Sequence, residues 1–178
     1  MIGNNVMLLF NNVPAEFDSE TVEKTLTFFA SYSRAKCTEI RVIGKNKRSN
    51  KVGFYDQYPK AVKRIKQFDG NAAIYFSPNR INADLKRRAC NSLESVSGTK
   101  DNDVEQLCWL LVDIDPIRPS DTPSTDDELG HAEDCQNRII KEVFQPTGVE
   151  IVKAMSGNGT HTLVPIDYPN DEESTALI

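Results

Sequence analysis

The segment Leu107–Ile114 constrains this chain most, because it carries apolar side chains on both faces of an extended strand: Cys108, Leu110, Val112 and Ile114 on one, Leu107, Trp109 and Leu111 on the other. Such a strand is expected at the centre of a sheet covered on both sides. It ends in Asp113-Ile114-Asp115, and the two-residue alternation of a strand sends both carboxylates the same way. Side-by-side carboxylates repel unless a cation or proton intervenes, so the pair is expected to hold one hard divalent cation. Loop capping, or a salt bridge to nearby Arg118, is the structural alternative.

About forty residues downstream lies Ser156-Gly157-Asn158-Gly159-Thr160-His161. Its glycines permit a tight turn whose backbone N–H groups face an anion. The imidazole of His161 can donate to a phosphate oxygen, supply a proton or ligate a metal. A histidine simply starting a strand is the plainer alternative. Together the two stretches point to phosphate-ester chemistry.

At 178 residues the chain has room for one domain, or one and part of a second. No apolar stretch approaches the roughly 18 residues of a membrane span, and the N-terminus lacks a basic leader. A cytoplasmic protein with no membrane partner is expected. The cysteines Cys37, Cys90, Cys108 and Cys135 have no paired spacing and are taken as incidental thiols. The net charge of -5 argues against a uniformly basic nucleic-acid binder. Yet Lys36–Lys66 holds ten Lys/Arg against Glu39 and Asp56, a net +8, whereas Asp101–Asp134 holds eleven acids against Arg118, a net -10. A basic face for a phosphate backbone beside an acidic centre for metals fits this segregation, as does an ordinary solvated surface.

In chain order, a strand is expected at Val6–Phe10 and a helix over 20–30, capped near Asp18. Strands at Thr38–Ile43 and Val52–Tyr55 form a hairpin around a basic loop. Lys45, Lys47, Arg48 and Lys51 of that loop, Tyr55 by base stacking, and Arg80 are the candidate nucleic-acid contacts. Pro59 starts a helix, Ala72–Ser77 is a strand, and Ala83–Cys90 a further helix. Thr125 with Glu128 forms a capping box for a helix running to about Phe144 with an inner stripe of Leu129, Ala132, Ile139, Ile140 and Val143. Strands follow at Glu150–Ala154 and Thr160–Ile166, and Asn170 with Glu173 caps a last helix. The chain ends as that helix begins, so a fragment of something longer is expected.

The segments Trp109–Pro119 and Ser156–His161 closely resemble the archaeo-eukaryotic primase superfamily, in particular the primase-polymerase domains of phages, plasmids and mobile elements. Val52–Asp56 and Ala73–Asn79 resemble the same branch, and the likeness covers roughly residues 35–170. The resemblance implies an α/β (α+β) fold with a mixed central sheet flanked by helices and RRM-like elements. A strand-helix element at 1–34 would precede the first part of the catalytic domain at 35–178. It implies nucleotidyl transfer with Mg2+ or Mn2+, in which Asp113 and Asp115 are metal ligands. His161 would contact the nucleoside triphosphate, with Ser156, Gly157, Asn158, Gly159 and Arg118 around it. The implied partners are a single-stranded DNA template and a fused or associated helicase, in a bacterial or archaeal host. The superfamily's third motif, an aspartate on a later strand, has no counterpart: Asp167 comes too early and Asp171 sits at a helix start. Two other readings compete. A glycosyltransferase also uses Asp-x-Asp with a cation, and a non-catalytic replication module suits the missing carboxylate.

Overall fold

The computed structural model describes residues 16–119 and 122–178, and the strand expected at Val6–Phe10 lies outside them. Two compact units divide these residues: Glu16–Cys108 with Asp167–Ile178, and Trp109–Ile166.

In the first unit, helix α1 (Ser19–Ser33) starts where Asp18 accepts the N–H groups of Glu20 and Thr21, and stops at Arg34 in the left-handed region, φ 51°. Strands β1 (Thr38–Ile43) and β2 (Lys51–Tyr55) form the expected antiparallel hairpin. Helix α2 (Tyr58–Ile65) carries Pro59 in its first turn, where a missing N–H costs nothing. Strand β3 (Ala73–Phe76) pairs with the other edge of β1, giving the order β2-β1-β3. One face of this sheet buries Ile40, Val42 and Tyr55 against Leu26, Val62 and Ile65 of the two helices. The other buries Val52 and Phe54 with Cys37, Ile81, Leu85 and Ala89.

Two expectations change here. Tyr55 cannot stack on a base: its register opposite Thr38 turns it to the same face as Ile40, where it is fully buried, and burial pushes its hydroxyl up to about 12. Ala83–Arg88 is a 3-10 turn rather than an α-helix. The Ala89 carbonyl accepts from Phe54 N–H at 2.9 Å, so β2 takes the bond that a continuing helix would use.

Strand β4 (Arg80–Ile81) pairs with β5 (Val104–Ile114), which starts three residues before the expected Leu107. Helix α3 (Asp126–Ile139) has the expected Thr125–Glu128 capping box, continues as a π-type turn to Phe144, and the chain reverses at Gly148, φ 71°. Strands β6 (Val152–Met155) and β7 (Thr160–Pro169) follow, in the order β4-β5-β7-β6. Helix α4 (Glu172–Leu177) is capped by Asp171, one residue later than expected. Asn170 instead donates to the carbonyls of Asp101 and Val104.

The architecture is therefore α/β, but among the described residues the mixed central sheet resolves into two sheets, and every register defined between their named strands is antiparallel. The full covering expected for β5 also fails at its end, where Leu111 is 52% exposed. The inner stripe of α3 is shorter than its sequence suggested: Ala132 and Gln136 are buried, whereas Val143 is exposed. No helix among the described residues is long and apolar enough to cross a membrane.

Candidate carboxylate and histidine site

Within Trp109–Ile166, β7 brings the glycine turn back to the acidic end of β5. Gln136 of α3 donates to Thr162 Oγ1 at 3.1 Å and to the His161 carbonyl at 2.8 Å. That contact sets the face of Thr162 toward α3, so alternation turns the His161 side chain to the opposite face. There His161 Nε2 lies 3.2 Å from Asp113 Oδ1, with the two side chains 31% and 54% exposed. The pair stays open to solvent on the face that Leu111 shares by alternation.

Asp115 is exposed just beyond the strand, and Gly159 passes directly over it. A side chain at Gly159 would strike Asp115 Oδ1 and the Ile114 carbonyl. Glycine is needed here for close approach. Gly157, with φ 91°, supplies the left-handed corner of the turn.

The turn engages three of its own donors. Ser156 Oγ accepts from Gly159 N–H at 3.0 Å and Asn158 N–H at 3.4 Å, and Ser156 N–H donates to the Gly159 carbonyl. Asn158 in turn accepts from Ser124, by its side-chain oxygen from the N–H and by its carbonyl from the hydroxyl at 2.6 Å. The turn is thus centred on the Ser156 hydroxyl and clamped to the segment before α3. Ser156 and Asn158 hold its shape, and their bonded atoms are engaged.

The start of α3 is likewise occupied. Thr125 N–H donates to Glu128 and holds its carboxyl below the usual glutamate range, while Arg118 adds a smaller pull in the same direction. Arg118 donates to the Thr122 carbonyl at 2.8 Å, closing its own loop. Asp167 and Asp171, both set aside as third ligands by their place in the sequence, are engaged elsewhere: Asp167 accepts from Gln106 at 2.7 Å and Asp171 caps α4.

Among the described residues no three His, Cys, Asp or Glu side chains gather into a metal-binding group. A hard cation that keeps its waters and arrives with phosphates asks for only one or two carboxylates. The exposed Asp113 and Asp115 fit that donor set, and a closed all-protein cage does not form.

The expected nucleic-acid contacts separate. Lys45 and Arg48 are exposed, whereas Lys51 donates to Ser95 Oγ at 2.8 Å. Arg80 is half-buried and donates to Gln106 at 2.8 Å. Lys47 falls in the 3-10 turn Lys47–Ser49. Sequence reasoning missed Gln136 and Ser124. The signal for Gln136 was a polar residue four after Ala132 on the inner face of a helix; Ser124 carried none beyond its place beside the cap.

No protein-family model, curated protein or solved structure matches this chain.

Proposed function

We propose that the open end of β5 and β7 is a nucleoside-triphosphate site and that the chain belongs to a primase-polymerase type of nucleotidyltransferase. The observation that carries this reading is the 3.2 Å contact between His161 and Asp113, which joins two motifs that the chain holds far apart. Asp113 and Asp115 would hold Mg2+ or Mn2+, which when bound neutralises triphosphate charge and activates an attacking hydroxyl. His161 would direct an imidazole N–H at a phosphate oxygen. Gln136 keeps the backbone beneath it fixed, and the lack of a side chain at Gly159 lets the turn pass close to Asp115 without striking its carboxylate. A single-stranded template and a helicase partner belong to the same reading.

A non-catalytic replication module is the second reading, favoured by the lack of a three-ligand cluster among the described residues. The test is Mn2+-dependent binding of a nucleoside triphosphate to the whole chain, with UDP-glucose as competitor. Metal-dependent binding weakened at least about tenfold by Asp113→Ala and by His161→Ala is the expected result. Binding indifferent to metal and to Asp113 would favour the module, displacement by UDP-glucose the glycosyltransferase, and no binding by a folded sample would end the proposal.

A further inference from the structure

A polar cavity lies wholly within Glu16–Cys108 and Asp167–Ile178 and shares no residue with the Asp113–His161 site. It has a volume of about 350 Å³, and its charged or hydrogen-bonding lining consists of Arg34, Lys36, Arg80, Asn82, Asp84 and Glu105. The two acids are engaged: Asp84 pairs with Arg87 at 3.0 Å, and Glu105 lies 3.9 Å from Arg80. Asn82 caps the following turn through Asp84 N–H. Among the described residues Arg34 and Lys36 pair with no carboxylate. The lining therefore sets three cations against two carboxylates.

Arg34 and Lys36 are exposed, whereas the third cation of the lining, Arg80, is held in place. Arg80 donates to Gln106, and Gln106 donates to Asp167 at 2.7 Å, so a chain of hydrogen bonds holds the guanidinium in one orientation. Arg34 occupies the left-handed position after α1, where glycine is favoured and a side chain costs about 1 kcal/mol. A residue kept at a conformational cost is a candidate for a functional role. Arginine forks and a lysine converging on a small cavity match the oxygens of a phosphate group.

We propose that this cavity binds a phosphate ester, carried by a single-stranded nucleic acid or by a free nucleotide. It stands on different residues from the Asp113–His161 site, and its test is run without metal, so the two proposals fail separately.

The experiment measures binding of a short oligothymidylate, ATP and inorganic phosphate to the whole chain, in EDTA at low ionic strength. Arg34→Gly is the decisive variant, because glycine suits the backbone there and the protein should melt no lower than wild type. It should weaken binding about fivefold or more, as should Arg80→Gln and Lys36→Gln. Lys63→Gln, on an exposed face of α2, should change little. If the strand is the ligand, its salt slope falls by about one per cation removed; if ATP binds and the strand does not, a free nucleotide is the source. Equal binding by wild type and a folded Arg34→Gly protein, or an equal loss in Lys63→Gln, would overturn the site.

Discussion

Glu39 and Asp113 are both strand carboxylates beside a nitrogen donor, and the two units treat them in opposite ways. Glu39 is 2% exposed, and its oxygens accept from Arg41 Nε, from Arg41 Nη2 at 3.3 Å and from Thr99 N–H at 2.9 Å. Arg41 then donates to the Thr99 carbonyl, and Gly98 is small enough to lie against both side chains. Hydrogen bonding to Glu39 raises the Arg41 guanidinium pKa. The result is a closed clamp that fixes a loop onto β1. Asp113 has His161 beside it and otherwise faces solvent, so its oxygens remain available. A buried carboxylate with its lone pairs filled stabilises a fold, while an open one can exchange its partner for a ligand.

The largest test of this contrast is in packing. Phe54→Ala, in the sealed face of the first sheet, should cost about 3–5 kcal/mol, and Leu111→Ala, on the open face of β5, less than about 1 kcal/mol, measured by urea unfolding. Equal costs would mean that the open face is covered in solution. The carboxylates come next: Glu39→Gln should cost about 2 kcal/mol, while Asp113→Asn should leave stability within about 0.5 kcal/mol of wild type.

A smaller effect comes from pH. Lys86, and then Asn91, hold the Asp56 carboxyl below the usual aspartate range. Its folded pKa lies below its unfolded one, so its contribution is complete above the usual range and disappears as pH falls through the lowered value. The side chain is about a third exposed, and screening limits the effect to at most about 1 kcal/mol. Lys86→Met should therefore flatten the acid limb of the stability profile by that amount; an unchanged limb would remove Asp56 from the account.

Several local features were legible because their causes are local. Asp18 and the Thr125–Glu128 pair signal helix starts through atoms three residues apart, and the β1–β2 hairpin follows from two short strands around a polar loop. Tyr55 was misjudged because its placement depends on pairing with Thr38, seventeen positions earlier, rather than on its neighbours. Leu111 was expected to be buried because apolar residues occupy both faces of its strand, yet covering requires a partner layer on each face.

The same division runs through the candidate site. Sequence alone determined that Asp113 and Asp115 end an apolar strand and that glycines precede His161, because alternation and backbone freedom act over a few residues. Tertiary structure decided that His161 meets Asp113, that Gly159 lies over Asp115 and that Ser156 occupies the turn's own donors. It also gathered Arg34, Lys36 and Arg80 around one cavity. Those juxtapositions follow from strand order, register and packing between distant segments, which no local pattern encodes.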